Sequence, residues 1–196
     1  MAAGFQYNLP PKEELEERYD VSTGIRRRGS FVLDVTGLPV GSYIPSFTPI
    51  AADLKAHTAK IVVNVKVVEG AAADATTIKI AKNSYVVVGT KLGTGAKGAT
   101  VSAIDKSNAE YDVLTLSSAF TAALTEGQVL FEATAAGGTT PVNVANSALY
   151  ETHKVTSGIN NVALLRAAGE IEPDKLVTPF SAKDKENLVG WFQFNE

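Results

Sequence analysis

The chain has 196 residues and a formal net charge of −3, enough for one generous domain or two small ones, without the basic surplus that nucleic-acid binding requires. It has no cysteine, which removes disulfides, Cys-ligated zinc and thiol nucleophiles together. The first twenty residues hold no apolar stretch of signal-peptide length, and no run approaches the roughly 20 apolar residues of a membrane helix, so a soluble chain without membrane contact is expected.

Residues 1–29 are expected to form an N-terminal arm. Pro10 and Pro11 precede KEELEERY, where prolines suit the first turn of a short helix and the early acids suit its dipole. Leu15 and Tyr19, four apart, share one face and offer a single small contact. So short a helix is marginal alone in water, so the arm should dock on its own domain, a sister subunit or another protein. Arg26, Arg27 and Arg28 follow. An isolated basic triplet beside acids points to an acidic protein surface more than to nucleic acid. Leu15, Tyr19 and the three arginines are therefore the candidate contact residues.

Strands are expected from Ser30 onward. FVLDV at 31–35 is the first, and KIVVNVKVV at 60–68 is a strong one, β-branched on both faces. Between them Pro39, Pro45 and Pro49 exclude helix and suggest an irregular segment along a sheet edge. A small-residue linker at 69–75 leads into a series of short strands at 77–81, 85–88, 99–104, 113–117 and 128–133, spaced like a small barrel or roll. A second small-residue linker spans 135–141. Two such linkers around one module predict an insertion at 76–134 into a split β-rich host of residues 30–70 and 142–196. In the last part, NVALLRAAGEI is strand-like and Pro173 breaks it. Ser181 and Asp184 have N-cap and N3 spacing for a helix over 182–189, with Gly190 placed for a left-handed cap. A terminal strand is expected at 191–194, with Trp191, Phe192 and Phe194 as core anchors. The fold class is thus mainly β: a split β-rich host, an inserted barrel-like module, a short N-terminal helix and one short C-terminal helix.

No residue set reads as catalytic. Gly93, Gly95 and Gly98 spell GxGxxG, but β-branched ATVSAI follows where a dinucleotide fold needs a helix, so the glycines are expected in a flexible hairpin loop. His57 and His153 lack metal-ligand spacing, and no serine has a GxSxG elbow around it. Asp105, Asn108, Glu110 and Asp112 could gather calcium, yet they lack EF-hand spacing and suit a turn whose side chains bond their own backbone. Neither metal nor cofactor is expected, and the aromatics form no sugar-stacking platform.

Three groups of segments carry a family resemblance: YIPSFTPIAAD with AKIVVNVKVVEGA; TIKIAKNSYVVVGTKLG with GAKGATVSAIDKSNAEYDVLTL and TEGQVLFEA; and ANSALYETHKV, LLRAAGEIEPDKLVTPFSAKDKENL and WFQF. In order and texture they resemble the head-fibre or capsid-decoration proteins of tailed bacteriophages, especially those infecting gut Bacteroidetes. The resemblance covers most of residues 40–196. It implies a non-enzymatic virion protein on the capsid exterior, present in the host cytoplasm during assembly, with the major capsid protein as partner and a trimer as the assembly. The arm then becomes a candidate for capsid attachment or inter-subunit exchange. A glycan- or host-surface-binding β module is the alternative, and a minor hydrolase built on His57 or His153 the third reading.

Overall fold

The computed structural model of the chain describes residues 18–195. It is mainly β, with 42% strand against 6% helix, as the β-branched, turn-rich composition predicts. In chain order the first strands are β1 (Asp20–Arg26), β2 (Phe31–Asp34), β3 (Tyr43–Ile44), β4 (Pro49–Asp53) and β5 (Thr58–Ile61). Next come β6 (Asn64–Lys66), β7 (Thr77–Ala81), β8 (Lys91–Gly93), β9 (Gly98–Asp105), β10 (Tyr111–Leu116) and β11 (Val129–Glu132). The chain continues through β12 (Ser147–Leu149), β13 (His153–Lys154), β14 (Asn161–Val162) and β15 (Leu164–Ile171), a 3-10 turn (Pro173–Lys175), α1 (Ala182–Leu188) and β16 (Phe192–Phe194).

Two sheets account for nearly all of these strands. The outer sheet runs β1-β15-β12-β4-β5-β2-β14, with β16 parallel to β15; the middle sheet runs β6-β11-β8-β9-β10-β7. A bridge between Val67 and Ile80 brings the two ends of the middle sheet together, curling it toward a barrel. Its interior is Val65, Ile80, Leu92, Leu114 and Leu130 with Phe120. The outer sheet has two cores, one around Phe31, Ile50, Leu149 and Leu164, the other around Phe47, Leu165, Phe180 and Phe192.

Several local signals act where the sequence placed them. Phe31 and Leu33 are buried while Val32 and Asp34 face outward, the period of two expected of β2. At α1 both halves of a capping box are made: the Ser181 hydroxyl accepts the Asp184 amide, and the Asp184 carboxylate accepts the Ser181 amide. Gly190 follows at φ +83°, the left-handed cap that only glycine takes without strain.

Other segments differ from expectation, each because of a partner distant in sequence. Residues 20–26, assigned to the arm, pair with β15 as β1. The expected helix before them, with Leu15, lies outside the described residues except for Arg18 and Tyr19, which are not helical. The run 60–68 is two strands: Val62 packs into an outer core, Val65 into the middle one, and the chain changes sheets between them. That change of sheet explains why both faces had to be apolar. The proline-rich segment contributes β4, which is central, between β12 and β5. Pro49 is tolerated because it is the first residue of the strand, and its carbonyl still accepts the Val62 amide at 3.0 Å. Residues 85–88 form no strand; Val86 enters the middle core while Tyr85 packs against the outer one. Trp191 is 54% exposed, whereas Phe192 behind it is buried, so the anchor of the terminal strand is the phenylalanine.

Both small-residue linkers are tied down. Ala71 exchanges two backbone hydrogen bonds with Leu124, and Gly138 lies on the hairpin made by β8 and β9. A Cβ at Gly93 or Gly98 would come under 3.0 Å from the Gly138 backbone, so these glycines serve close approach of three chain segments, and the hairpin is less free than expected.

One buried polar node joins the two regions. Asp184, 1% exposed, accepts the Ala145 amide at 2.7 Å, the Asn64 side-chain amide at 2.7 Å, and the Ser181 amide and hydroxyl at 2.9 and 2.6 Å. Asn64 opens β6, so the first strand of the middle sheet is fastened to the C-terminal helix of the outer region.

Candidate functional site

The arginine triplet sits where β1 leaves the outer sheet. Arg26 lies opposite Leu165 of β15, and the Arg27 amide donates to the Leu164 carbonyl at 2.7 Å. Two register shifts along this pairing twist the strand and turn its last side chains toward β12. Arg27 then donates from Nε to the Ser147 hydroxyl and from Nη2 to the Asn146 carbonyl, both at 2.6 Å. Burial first, then the nearby charge of Arg166, lowers the affinity of Arg27 for its proton. Arg26 lies over the Tyr150 ring, 4.6 Å from its centroid, and Arg28 is exposed.

Arg166 completes this corner. It is the exposed residue in the otherwise buried stretch LLRAAG of β15, and its guanidinium lies 5.4 Å from the centroid of Trp191. Trp191 is held beside it because its carbonyl accepts the Ala168 amide at 3.0 Å. Among the described residues the ion pairs all use lysine, and no carboxylate pairs with Arg26, Arg27, Arg28 or Arg166. The sequence pointed to the triplet but missed Arg166 and the outward Trp191. A charged residue interrupting an apolar strand was the available signal.

The structure separates the other candidates. Tyr19 is half-buried on Phe47, with ring centroids 5.0 Å apart, and burial raises its pKa, so one side of its ring packs on the outer core. His57 is exposed in the turn after β4, against Phe31, and His153 shares a 2.9 Å hydrogen bond with Asn160. In the acidic cluster, Asp105 accepts the Ser107 amide and Asn108 the Glu110 amide, as the turn reading expects, while Asp112 is buried and paired with Lys82 at 2.7 Å. After Gly98 the chain enters β9 without a helix. Exposed Tyr43 and Trp191 lie on different elements, each under a cation, Lys154 and Arg166 respectively. A groove of about 290 Å³ between the sheets is lined by Asp34, Lys60, Tyr85, Thr90 and Glu132, whose carboxyl burial holds above the usual range.

No curated protein and no solved structure matches the chain. One family does, described as head fiber protein, over residues 1–193.

Proposed function

The chain belongs to the phage head fiber protein family and is a structural component of the virion, and from that premise we propose that it decorates the exterior of the capsid by binding the major capsid protein. The carrying observation is the extent of the match, which spans both sheets and the segment before them. A β body with a tied-down middle sheet suits such a role, because decoration needs rigid surface and shape more than a reactive pocket. The proposal includes a trimer, no catalytic activity, and presence in the host cytoplasm until assembly.

It also assigns orientation. The outer sheet carries the arginine corner, so it is the part placed against the shell. The middle sheet, entered at Asn64 and left after Glu132, is the part that stands away as the inserted module.

Mass spectrometry of intact purified virions should recover the protein, and the isolated protein should co-sediment with heads assembled without it. Its absence from virions would end the reading.

A further inference from the structure

We propose that the corner formed by Arg166 and Trp191, with Arg27 beside it, is the docking face for a carboxylate-bearing protein surface of the capsid shell; this rests on the capsid-binding reading above.

The chain has 21 acidic residues against 18 lysines and arginines, so carboxylates are available to neutralise its cations. None of those described ion-pairs with Arg27 or Arg166. Arg27 and Arg166 lie close enough for one charge to weaken proton binding by the other. That repulsion persists because Arg27 is fixed by Ser147 and Asn146 and cannot swing away. An incoming carboxylate relieves it.

Trp and Arg are the side chains that most often dominate binding energy at protein interfaces. Here the indole is exposed, and Val189, 74% exposed, lies two residues before it beyond the cap at Gly190. Stacking on Trp191 holds the Arg166 fork in place, so less side-chain freedom is lost when it engages a carboxylate through two parallel hydrogen bonds. Nucleic acid is disfavoured on the same geometry. Arg166 covers a face of the indole that a base would stack on, and so few phosphate contacts give weak binding at physiological salt.

Heads assembled without the protein are the probe, and wild type, Arg166→Glu, Arg166→Lys and Trp191→Ala are titrated onto them and sedimented. The expected result is an affinity loss of about tenfold or more for Arg166→Glu and Trp191→Ala, a smaller loss for Arg166→Lys, and melting temperatures close to wild type. Wild-type binding should weaken as salt is raised. If wild type binds and the variants bind equally well, this docking face is wrong and the capsid reading stands. If wild type itself fails to sediment, the capsid reading fails and the inference with it. Binding abolished by nuclease would assign the face to nucleic acid, and an altered oligomeric state in Arg166→Glu would assign it to contacts between copies. Either result overturns the proposal.

Discussion

The middle core draws only on residues 63–130, with Val65, Ile80, Leu114 and Leu130 meeting inside one curled sheet, whereas the outer cores join Phe31 to Leu164 and Phe47 to Phe192. The same kinds of apolar side chain do both jobs; what differs is how much chain must be closed before they meet. Inside the middle sheet β8, β9 and β10 close short hairpins, and the longest closure sets β6 on β11, with Asn64 opposite Phe131. The outer sheet forms its β2–β5 and β4–β5 pairs locally but is completed only when residues beyond 145 return to β4 and β2, a longer closure with a larger entropic cost. The Asp184 node, which draws Asn64 of the middle sheet onto α1, is the directional contact that ties the two regions together.

Leu114→Ala gives the largest expected effect. Leu114 is fully buried at the centre of the middle sheet, and its truncation should cost about 2–5 kcal/mol. The chain has one tryptophan, Trp191, and it sits in the outer region. Hydrogen exchange at middle-sheet amides should quicken while the urea transition followed by Trp191 fluorescence stays put. Equal losses by both probes would show that the two cores unfold as one.

Asp184→Ala tests the joint. It strands the buried Ala145 and Ser181 amides, each worth roughly 1–3 kcal/mol when left unpaired, so a loss of about 3 kcal/mol is expected. The Trp191 transition should move first here. A shift confined to the middle sheet would show that the node belongs to that side.

Gly98→Ala is smaller, about 1–3 kcal/mol of overpacking, because the new Cβ would lie 2.6 Å from both the Gly138 Cα and the Leu92 carbonyl oxygen. The second linker should lift off the hairpin and its amides should exchange faster. An unchanged exchange pattern would mean that the glycine contact does not hold the linker.

What could be read in the sequence follows the same division. β7, β9, β10, β11 and the capped α1 were legible because their alternation, turns and caps lie within a few residues. β4 was hidden behind its prolines because its central position comes from β12, about a hundred residues on. The split of 60–68 was invisible because Val62 and Val65 look alike until two separate cores claim them. At the site, Arg26, Arg27 and Arg28 stood out as a run. Yet the partners that separate their roles, Tyr150, Ser147 and Asn146, come from a remote strand and its flanks. Trp191 was misjudged for a related reason: aromatic character suggests burial, but a strand buries alternate residues, and Phe192 took the inward place.

The route by which the chain enters and leaves the middle sheet has a mechanical consequence. The Glu132 amide donates to the Val63 carbonyl and the Val142 amide to the Glu132 carbonyl, both at 2.9 Å, so entry and exit are neighbours. Both ends of the described chain also attach to the outer sheet near the end of β15: Arg18 accepts the Glu172 amide, and the Asn195 amide donates to Ile171. Tension applied between those ends would shear the hydrogen-bond rows of β1, β15 and β16 and pass across the short gap at Val63, leaving the curled sheet off the load path.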